Sequence, residues 1–319
     1  MPPNLNVWFY AIFYQNIRGI TIPQIYFSLC GEKMELTNLK VINEILSKNG
    51  FSFKKSLGQN FLINPSVCPK MAENAMEDAD YALEIGPGIG VLTAELAKRS
   101  KKTVAIELDE RLKPILAETL AEFSNVEVVF GDAMELDLNK IIEEYFPIGA
   151  KVAVCANLPY YITSPIIMRI LESRLAITSL TVMVQKEVAQ RVCAGVGNRQ
   201  AGAVTVSVNY YCEPKYLFSV SAGSFTPAPN VDSAVMSLKI RKEPPVNVLD
   251  EKFFFKLIKS AFAQRRKTLL NSASAGLSLS KDSVKAAIIA CGLREDTRAE
   301  MLSLEQLAAI SNALSEHNI

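Results

Sequence analysis

The stretch VCANLPYY at residues 154–161 places polar and aromatic side chains directly after an apolar run. Asn157 carries an amide, Pro159 fixes its own φ and has no backbone donor, and Tyr160 brings a flat aromatic ring. None of these side chains is a usual acid, base or nucleophile. The stretch therefore indicates a reaction that uses hydrogen-bond acceptors, a rigid backbone and an aromatic face.

Other candidate residues follow three further predicted strands. Glycines at positions 86, 88 and 90 come directly after the strand YALEI, where glycine lets a ligand approach the backbone closely. Glu107 ends the next strand, and a carboxylate there can accept from both hydroxyls of a ribose. Asp132 follows the third strand and can accept from an adenine amino group or offset a positive charge.

Each of these features has an ordinary structural explanation when it is taken alone. The spacing GxGxG differs from the GxGxxG of dinucleotide-binding folds, and such a turn also occurs where packing is tight. Glu107 is equally an exposed acid at a strand end. Together, however, the glycine turn, Glu107, Asp132 and Asn157 occupy four successive strand ends, which is a specific combination.

The order of predicted elements explains why these residues should meet. From residue 80 to 185, short apolar strands alternate with helical segments, which predicts a parallel sheet covered on both faces. Ligands bind such sheets at the carboxyl ends of the strands. Residues 204–220 are predicted to be β-rich, 241–250 a linker, and the remainder helical with a break around NSASAGLSLS at 271–280.

Composition excludes several other classes. The 319 residues suggest two domains, and a net charge of +1 favours no particular partner. The six cysteines are scattered, which is typical of a reduced cytosolic protein with cysteines in its core. Because His317 is the only histidine, a histidine-based metal site or a Ser-His-Asp triad is not expected.

Four motifs resemble the ribosomal RNA adenine dimethyltransferase family, and the bacterial small-subunit (16S) members most of all. They are KKSLGQNFLINPSV (54–67), LEIGPGIGVLT (83–93), ANLPYYITSPII (156–167) and FTPAPNVDSAV (225–235). The resemblance runs from about Met34 to the C-terminus. It implies a Rossmann-like class I S-adenosylmethionine-dependent methyltransferase sheet with helices on both faces, plus a small C-terminal helical domain. The expected domains are a leader (1–33), a catalytic domain (34–243) and a helical RNA-binding domain (244–319).

The resemblance also implies which residues bind the cofactor, S-adenosyl-L-methionine. By position they are Asn60, Leu62, Gly86, Glu107, Asp132 and Asn157. Without it, GQNFL at 58–62 would be interpreted as a loop that caps a hydrophobic plug. Two small departures are Ala156, where many members have glycine, and Tyr161, where many have asparagine.

An adenine N6 as the methyl acceptor would explain the residue types in VCANLPYY at 154–161. Its lone pair is delocalised into the ring, so it needs acceptors that pull its hydrogens out of plane rather than a strong base. The Asn157 side-chain oxygen and the Leu158 carbonyl can supply them, with Pro159 holding the backbone. Tyr160 can stack on the base, or it is a half-buried core tyrosine. Phe225 is expected to supply the second face of the adenine slot, or it is a hydrophobic loop anchor.

The resemblance implies that the partner is 16S rRNA in a precursor of the small (30S) subunit, methylated at two adjacent adenosines in a hairpin loop near its 3′ end. Residues 252–267 contain six cations and no acid, which favours phosphate binding, although a solvated helix face would look similar. These cations are Lys252, Lys256, Lys259, Arg265, Arg266 and Lys267, and Lys54 and Lys55 add charge near the expected cofactor site. We expect a cytoplasmic monomer that uses no metal and no membrane.

Two alternative functions remain open on the sequence. Related antibiotic-resistance methyltransferases act on large-subunit rRNA, but they more often carry NIPY than the NLPY found at 157–160. A ribosome-assembly or transcription factor could keep the fold as a nucleic-acid clamp, but it would be expected to lose Asn157 or the glycine turn.

Residues 1–33 have no counterpart in the family and differ in composition from the rest of the chain. They are aromatic and apolar, yet Gln15, Asn16 and Arg18 interrupt them, so no run reaches the ~20 residues of a membrane span. They also lack the basic start of a signal peptide. Translation from Met34 is the simplest explanation, and a genuine extension or a membrane-surface segment is the alternative.

Overall fold

The computed structural model describes residues 34–52, 60–264 and 266–316. These residues belong to two compact units, one reaching to Pro159 and including Ala222–Asn230, the other formed by Tyr160–Ser221 and Val231–Ile319. The domain boundary predicted after residue 243 falls inside the second unit and stays a prediction. The leader and four residues used in the sequence analysis lie outside the described residues: Lys54, Lys55, Arg265 and His317.

Four parallel strands form the centre of the first unit, as predicted. In chain order they are β2 (Tyr81–Ile85), β3 (Lys102–Glu107), β4 (Val126–Phe130) and β5 (Val152–Asn157), and their spatial order is β4-β3-β2-β5. Ile85 lies opposite both Ile106 and Ala156, and Glu107 lies opposite Phe130. The four carboxyl ends are therefore aligned at one edge of the sheet.

A short antiparallel ladder completes the strands of the first unit. It pairs β1 (Phe61–Leu62) with β8 (Phe225–Thr226), two segments far apart in the sequence. The helices of this unit are α1 (Leu39–Lys48), α2 (Val67–Ala75), α3 (Val91–Ala97), α4 (Lys113–Thr119) and α5 (Leu138–Tyr145).

Helix α1 follows from the sequence in both its start and its buried face. The Asn38 side chain accepts a hydrogen bond from the Lys40 backbone N–H and caps the helix. The apolar residues Ile42, Ile45 and Leu46 are buried in a hydrophobic cluster of the first unit, whereas Leu39 is exposed.

The second unit combines three strands with helices. The central strand β9 (Ser233–Ile240) pairs antiparallel with both β6 (Ser179–Gln185) and β7 (Cys212–Val220). Residues 241–250 form no helix or strand, as expected of a linker. The helices are α6 (Tyr160–Glu172), α7 (Lys186–Cys193), α8 (Ala203–Tyr211), α9 (Glu251–Phe262), α10 (Leu269–Leu277), α11 (Lys281–Ala290) and α12 (Leu304–Glu316). The predicted helical C-terminal part is confirmed.

The prediction of β structure across residues 204–220 is wrong in its first half. Ala203–Tyr211 is helix α8, and only Cys212–Val220 is a strand. Most α8 side chains are buried, including Val206, Val208 and Tyr210. Burial around most of the helix removes the polar–apolar period that marks an amphipathic helix, and packing overrides the β-propensity of valine and tyrosine.

The break predicted at residues 271–280 is also misplaced, because helix α10 continues to Leu277. The small residues serve close packing instead. A Cβ added to Gly276 would lie 2.4 Å from Ser260 Cβ on α9, so only glycine allows this approach of the two helices. The chain leaves the helix at Ser278, which has a left-handed φ of 58°.

The cysteines agree with a reduced protein. Cys68, Cys155 and Cys212 are buried, Cys193 and Cys291 are half-buried, and all five are free thiols. Within the ranges that the structure describes, no helix is both long and apolar enough to cross a membrane.

Candidate functional site: a row of strand-end residues

The carboxyl edge of the first unit's sheet brings together four of the predicted cofactor residues. Glu107 and Asn157 are the last residues of β3 and β5, Gly86 follows β2 directly, and Asp132 lies two residues after β4. The strand register aligns these ends. The structure therefore contains the row that the sequence predicts.

The turn after β2 depends on glycine. Gly86, Gly88 and Gly90 all have positive φ, at 76°, 59° and 89°, where side chains are disfavoured. The Gly86 N–H donates to the Ile106 carbonyl over 2.9 Å, which fixes the turn beside β3. A Cβ on Gly90 would lie 3.0 Å from Leu120 Cδ2. Tight packing thus accounts for Gly90, whereas Gly86 and Gly88 are half-buried and lie next to the strand-end acid.

Glu107 is buried, with 6 % of its surface exposed. Its Oε2 accepts from the Gly88 N–H at 3.1 Å and its Oε1 from the Asp109 N–H at 2.8 Å. Burial raises the pKa of the Glu107 carboxyl, and the nearby Asp109 charge adds to this rise. A carboxylate has about four lone-pair positions, so acceptor capacity remains for ribose hydroxyls.

Arg111 balances the negative charge of Asp109, the second acid near the end of β3. Arg111 donates to both oxygens of Asp109, from Nε at 2.8 Å and from Nη2 at 2.6 Å. Its guanidinium also donates to the Ser52 carbonyl at 3.1 Å and lies 4.8 Å from the centre of the Phe51 ring. This bidentate pair fixes the loop after β3, and with it the direction of the Glu107 carboxylate.

Asp132 is half-buried at the end of the β4 turn. Its Oδ1 accepts from the Met134 N–H at 2.7 Å, and its carbonyl accepts from the N–H groups of Glu135 and Leu136, both at 2.9 Å. These bonds hold one carboxylate oxygen against its own turn and fix the orientation of the other.

Asn157 is half-buried, and its side chain forms no hydrogen bond with any residue that the structure describes. The next side chain, Leu158, is buried against the glycine turn, since a Cβ on Gly86 would lie 3.2 Å from Leu158 Cδ2. Pro159 follows and is half-buried. The contact between Gly86 and Leu158 fixes the backbone that carries Asn157.

The β1–β8 ladder joins two residues to which the sequence analysis gave separate roles. Leu62, a predicted cofactor contact, pairs with Phe225, a predicted wall of the adenine slot. The Ile63 N–H donates to the Ser224 carbonyl at 2.8 Å and extends this connection. Phe225 is only 5 % exposed, so little of its ring is open to a base. Its burial favours the interpretation as a loop anchor. Asn60, directly before β1, is half-buried.

Two residues that sequence reasoning missed belong to this edge. Glu84 is 1 % exposed, and its Oε2 has no hydrogen bond with any described group. Burial, with the charge of Glu107 as a further cause, raises its pKa to about 8. The signal was a single charge inside the apolar strand YALEI. Leu108 is 53 % exposed between Glu107 and Asp109, and so offers an apolar surface beside the ribose acceptor.

The remaining aromatic candidate belongs to the second unit. Tyr160 is the first residue of α6 and is half-buried, and its hydroxyl lies 2.7 Å from Ser233 Oγ at the start of β9. Tyr161 is exposed. The hydroxyl contact fixes the Tyr160 ring at the beginning of the helix.

The predicted RNA-binding lysines are exposed on one helix. Lys252, Lys256 and Lys259 project from α9, and Arg266 and Lys267 are exposed just after it. None of the five forms an ion pair with a residue in the described ranges. Unpaired cations on one helix are available to phosphates.

The donors and acceptors of the first unit fit the nucleoside part of S-adenosylmethionine. The glycine turn leaves half-buried backbone without side chains at this edge, and Glu107 retains acceptors for a ribose. Asp132 adds a carboxylate for an amino group, and Leu108 offers an apolar face. Fold and site together define a Rossmann-like S-adenosylmethionine-dependent methyltransferase. The family model for ribosomal RNA adenine dimethylase matches residues 50–316, and the chain belongs to this family.

Similar proteins agree with the resemblance seen in the motifs. The chain is 46 % identical over 275 residues to "Ribosomal RNA small subunit methyltransferase A" of Geobacillus sp. (strain WCH70), covering 85 % of this chain and 94 % of that protein. It is 45 % identical over 283 residues to the protein of the same name from Alkaliphilus oremlandii (strain OhILAs), covering 88 % and 98 %. The predicted family, enzyme class and cofactor are therefore confirmed.

Solved structures agree at the level of the whole fold. A dimethyladenosine transferase from Plasmodium falciparum is 25 % identical with a TM-score of 0.64, over 81 % of this chain and 98 % of that one. The 23S rRNA methyltransferase ErmE is 28 % identical with a TM-score of 0.59, over 80 % and 100 %. These two likenesses support the predicted fold class, but they do not distinguish between rRNA targets.

Proposed function

We propose that this methyltransferase dimethylates N6 of two adjacent adenosines in a hairpin loop near the 3′ end of 16S rRNA, within a precursor of the small subunit. Two small-subunit methyltransferases are 45–46 % identical to the chain, whereas the 23S enzyme ErmE is 28 % identical. The NLPY sequence suits this substrate, because an adenine amino group needs hydrogen-bond acceptors rather than a strong base, and Asn157 and Leu158 can provide them. The observation that carries the proposal is the aligned row of Gly86, Glu107, Asp132 and Asn157.

Each residue of the row is proposed to bind one part of S-adenosylmethionine. Glu107 accepts from the ribose hydroxyls, Asp132 accepts from the adenine amino group, and the backbone at Gly86 borders the amino-acid part. Asn60 and Leu62 close the site from the β1 side. When bound, S-adenosylmethionine supplies an electrophilic methyl group on a sulfonium centre.

The target base is activated by Asn157 and Leu158. The side-chain oxygen of Asn157 and the Leu158 carbonyl accept the two N6 hydrogens and draw them out of the base plane, which localises the lone pair on nitrogen. Pro159 keeps these acceptors preorganised. Methyl transfer leaves a positive charge on N6, and the now acidic proton passes to solvent water, so the reaction needs no strong base in the row.

Aromatic contacts hold the base. Tyr160, whose hydroxyl is fixed by Ser233, presents its ring for stacking, which contributes about 1–3 kcal/mol per base in other complexes. Phe225 is proposed to support the slot from behind Leu62 rather than to offer an open ring, because it is buried in the β1–β8 ladder.

The exposed cations of the second unit are proposed to bind rRNA phosphates. Lys252, Lys256 and Lys259 share one face of α9, and Arg266 and Lys267 continue the positive charge. Phosphate contacts provide affinity without sequence specificity. We also propose a cytoplasmic location, because the substrate is a ribosomal precursor. The enzyme is proposed to be a monomer and to use no metal.

Methyl transfer to ribosomal subunits tests the proposal. Purified enzyme with methyl-labelled cofactor is incubated separately with 30S and 50S subunits whose rRNA lacks base methylation, and the labelled nucleosides are mapped by mass spectrometry. We expect dimethyladenosine at two neighbouring positions of 16S rRNA only. Label confined to 23S rRNA would favour the resistance-type alternative, and binding to rRNA without any label would favour a clamp.

A further inference from the structure

The second unit contains a cavity that none of the roles above uses. It has a volume of about 190 Å³ and lies beside the end of α6 and the segment after β9. Aliphatic side chains such as Ile170, Leu175 and Ile177 form much of its lining. An apolar cavity of about 150 Å³ holds a benzene ring, whereas drug-sized ligands occupy roughly 300–1,000 Å³. The size therefore fits one six-membered aromatic ring.

Arg174 lines this cavity and is held from two directions. Its Nη2 donates to Glu251 Oε2, and its guanidinium lies 4.6 Å from the centre of the Tyr211 ring. The hydroxyls of Tyr210 and Tyr211 also donate to Glu251, at 3.2 and 3.0 Å. The guanidinium is thus a planar cation in a fixed position, yet its side chain remains 53 % exposed.

The backbone at Arg174 is unfavourable for any residue except glycine. Its φ is 50°, and the only other described non-glycine residue with a positive φ is Ser278. Arg174 lies just after α6, where a left-handed residue is a common way for a helix to end and glycine is favoured.

Two further cations lie at the cavity. Arg241 is fixed by the Cys212 carbonyl at 3.0 Å and by Glu213 at 2.8 Å. Lys242, which is exposed, has no ion pair within the described part of the chain. With Arg174 they place three cationic side chains, two of them paired with Glu251 and Glu213, around a space lined by both polar and apolar groups. This combination suits a ligand with a flat ring that carries polar groups and an attached anion.

We propose that this cavity binds one unpaired pyrimidine nucleotide of the RNA, with the base between its apolar and polar lining groups and its phosphate at Arg174 and Lys242. Proteins that bind single-stranded nucleic acids hold unpaired bases by stacking them on aromatic side chains and on arginine planes. The inference rests on the proposed rRNA substrate and adds to it a second anchoring point, on the second unit, for a nucleotide that is not methylated.

Binding of mononucleotides to the full-length protein tests the size and charge of the site. Cytidine 5′-monophosphate is titrated by calorimetry and compared with adenosine 5′-monophosphate and with ribose 5-phosphate. We expect saturable binding of the pyrimidine nucleotide and weaker binding of both others, because the purine is too large and the sugar phosphate lacks a ring. Equal binding of all three would overturn the proposal.

Two variants distinguish binding in the cavity from nonspecific attraction of the phosphate to positive charge. Arg174→Gly removes the guanidinium while relieving the positive φ, so the protein should fold, and we expect cytidine monophosphate to bind about tenfold more weakly. Ile177→Trp, which fills the space, should also reduce binding. Arg294→Gly is the matched control, since Arg294 is an exposed loop arginine paired with Asp296. An equal effect of the two glycine substitutions, or none, would show that the cavity is not the site.

Cross-linking distinguishes RNA from a free nucleotide. Small-subunit rRNA containing 4-thiouridine is irradiated with the protein, and the cross-linked peptides are sequenced. We expect cross-links within residues 170–177 or 240–244, and clearly fewer of them in Arg174→Gly. Cross-links found only elsewhere would overturn the proposal for RNA. Methyl transfer by the unmodified protein is measured in parallel, so a failure of the proposed function is recognised separately.

Discussion

The Gly88 N–H donates to Glu107 Oε2 over 3.1 Å, so a hydrogen bond joins the turn after β2 to the end of β3. A backbone donor and a carboxylate form a charge-assisted bond, which is stronger than a neutral one. The bond keeps the glycine turn and the carboxylate in one arrangement before a ligand arrives. Preorganisation of this kind reduces the free energy lost on binding.

Replacing Glu107 should therefore weaken cofactor binding. Glu107→Ala removes the acceptors for the ribose and frees the Gly88 N–H, and loss of hydrogen bonds to a charged group lowers affinity by about 10–100-fold. Calorimetric titration with S-adenosylhomocysteine measures the change. Glu127→Ala is the control, because Glu127 is exposed on the neighbouring strand β4. Equal affinities of the two variants would show that Glu107 does not contact the ligand.

Gly86→Ala tests the contact between the glycine turn and Leu158. Gly86 has a φ of 76° and its added Cβ would lie 3.2 Å from Leu158 Cδ2, whereas Gly149 has a φ of 77° and nothing within 4 Å. Alanine at either position costs about 1–2 kcal/mol for the left-handed backbone. Gly86→Ala should lose more stability in urea unfolding than Gly149→Ala. It should also slow methyl transfer, because Leu158 follows Asn157. Matching losses would mean that the Leu158 contact is unimportant.

The sheet and its row of strand-end residues could be predicted because their signals are local. Alternating apolar strands and helices fix the direction of β2 to β5, and an acid or amide directly after a strand must lie at the ligand edge. The buried Glu84 could have been recognised as the single charge in its strand. The pairing of Leu62 with Phe225 could not, because a two-residue ladder joins segments 163 positions apart in the chain.

Tertiary packing explains the two errors. The valines and tyrosines of α8 favour strands when they are considered locally, but burial around the helix decides its conformation. The small residues of α10 look like a loop, yet Gly276 is small because α9 approaches it closely at Ser260. Both outcomes depend on neighbours that no local pattern contains.

The lysines of α9 should control the salt dependence of RNA binding. Lys256→Gln combined with Lys259→Gln removes two exposed charges, and each lost phosphate contact lowers the log–log slope by about 0.7–0.9. Filter binding across a range of salt concentrations should therefore give a slope flatter by about 1.5. Lys281→Gln with Lys285→Gln on α11 is the control, since it also removes two lysines from one helix, four positions apart instead of three. An unchanged slope in the α9 variant would identify its lysines as a solvated face.

Glu84 should make the protein less stable as the pH rises. Its pKa is about 8 in the folded protein against an ordinary 4.5, so between these values the folded state holds a proton that the unfolded chain releases. The stabilising contribution is complete below pH 4.5 and is lost as the pH rises through 8. Burial also raises the pKa of Glu107, which acts in the same direction.

Glu84→Gln isolates this contribution, because glutamine is permanently neutral. Urea unfolding at about pH 5 and about pH 8 should show a smaller loss of stability in the variant than in the unmodified protein. Within the window one proton changes the free energy of unfolding by about 1.4 kcal/mol per pH unit. Glu95→Gln is the comparison, since net interactions with Lys98 and Arg99 lower the Glu95 pKa despite partial burial. Parallel pH curves for Glu84→Gln and the unmodified protein would refute the role of Glu84.

Asn157→Ala should reduce catalysis far more than binding. The side chain is half-buried at the end of β5 and is free of hydrogen bonds to other described residues, so its oxygen is available to the target amino group. Removing one well-placed polar stabiliser of a transition state typically costs about 10²–10³ in rate. RNA affinity, which is spread over many phosphates, should change little. Single-turnover methyl transfer with saturating RNA and cofactor measures the chemical step.

Asn157→Asp separates lone-pair localisation from charge. The aspartate keeps an acceptor for the N6 hydrogen, so part of the effect should survive. Its negative charge beside the sulfonium stabilises the charged ground state and slows transfer. We therefore expect the aspartate variant to be impaired but faster than the alanine variant. A near-normal single-turnover rate for Asn157→Ala would show that the amide only packs at the strand end, and the proposed activation of N6 would be wrong.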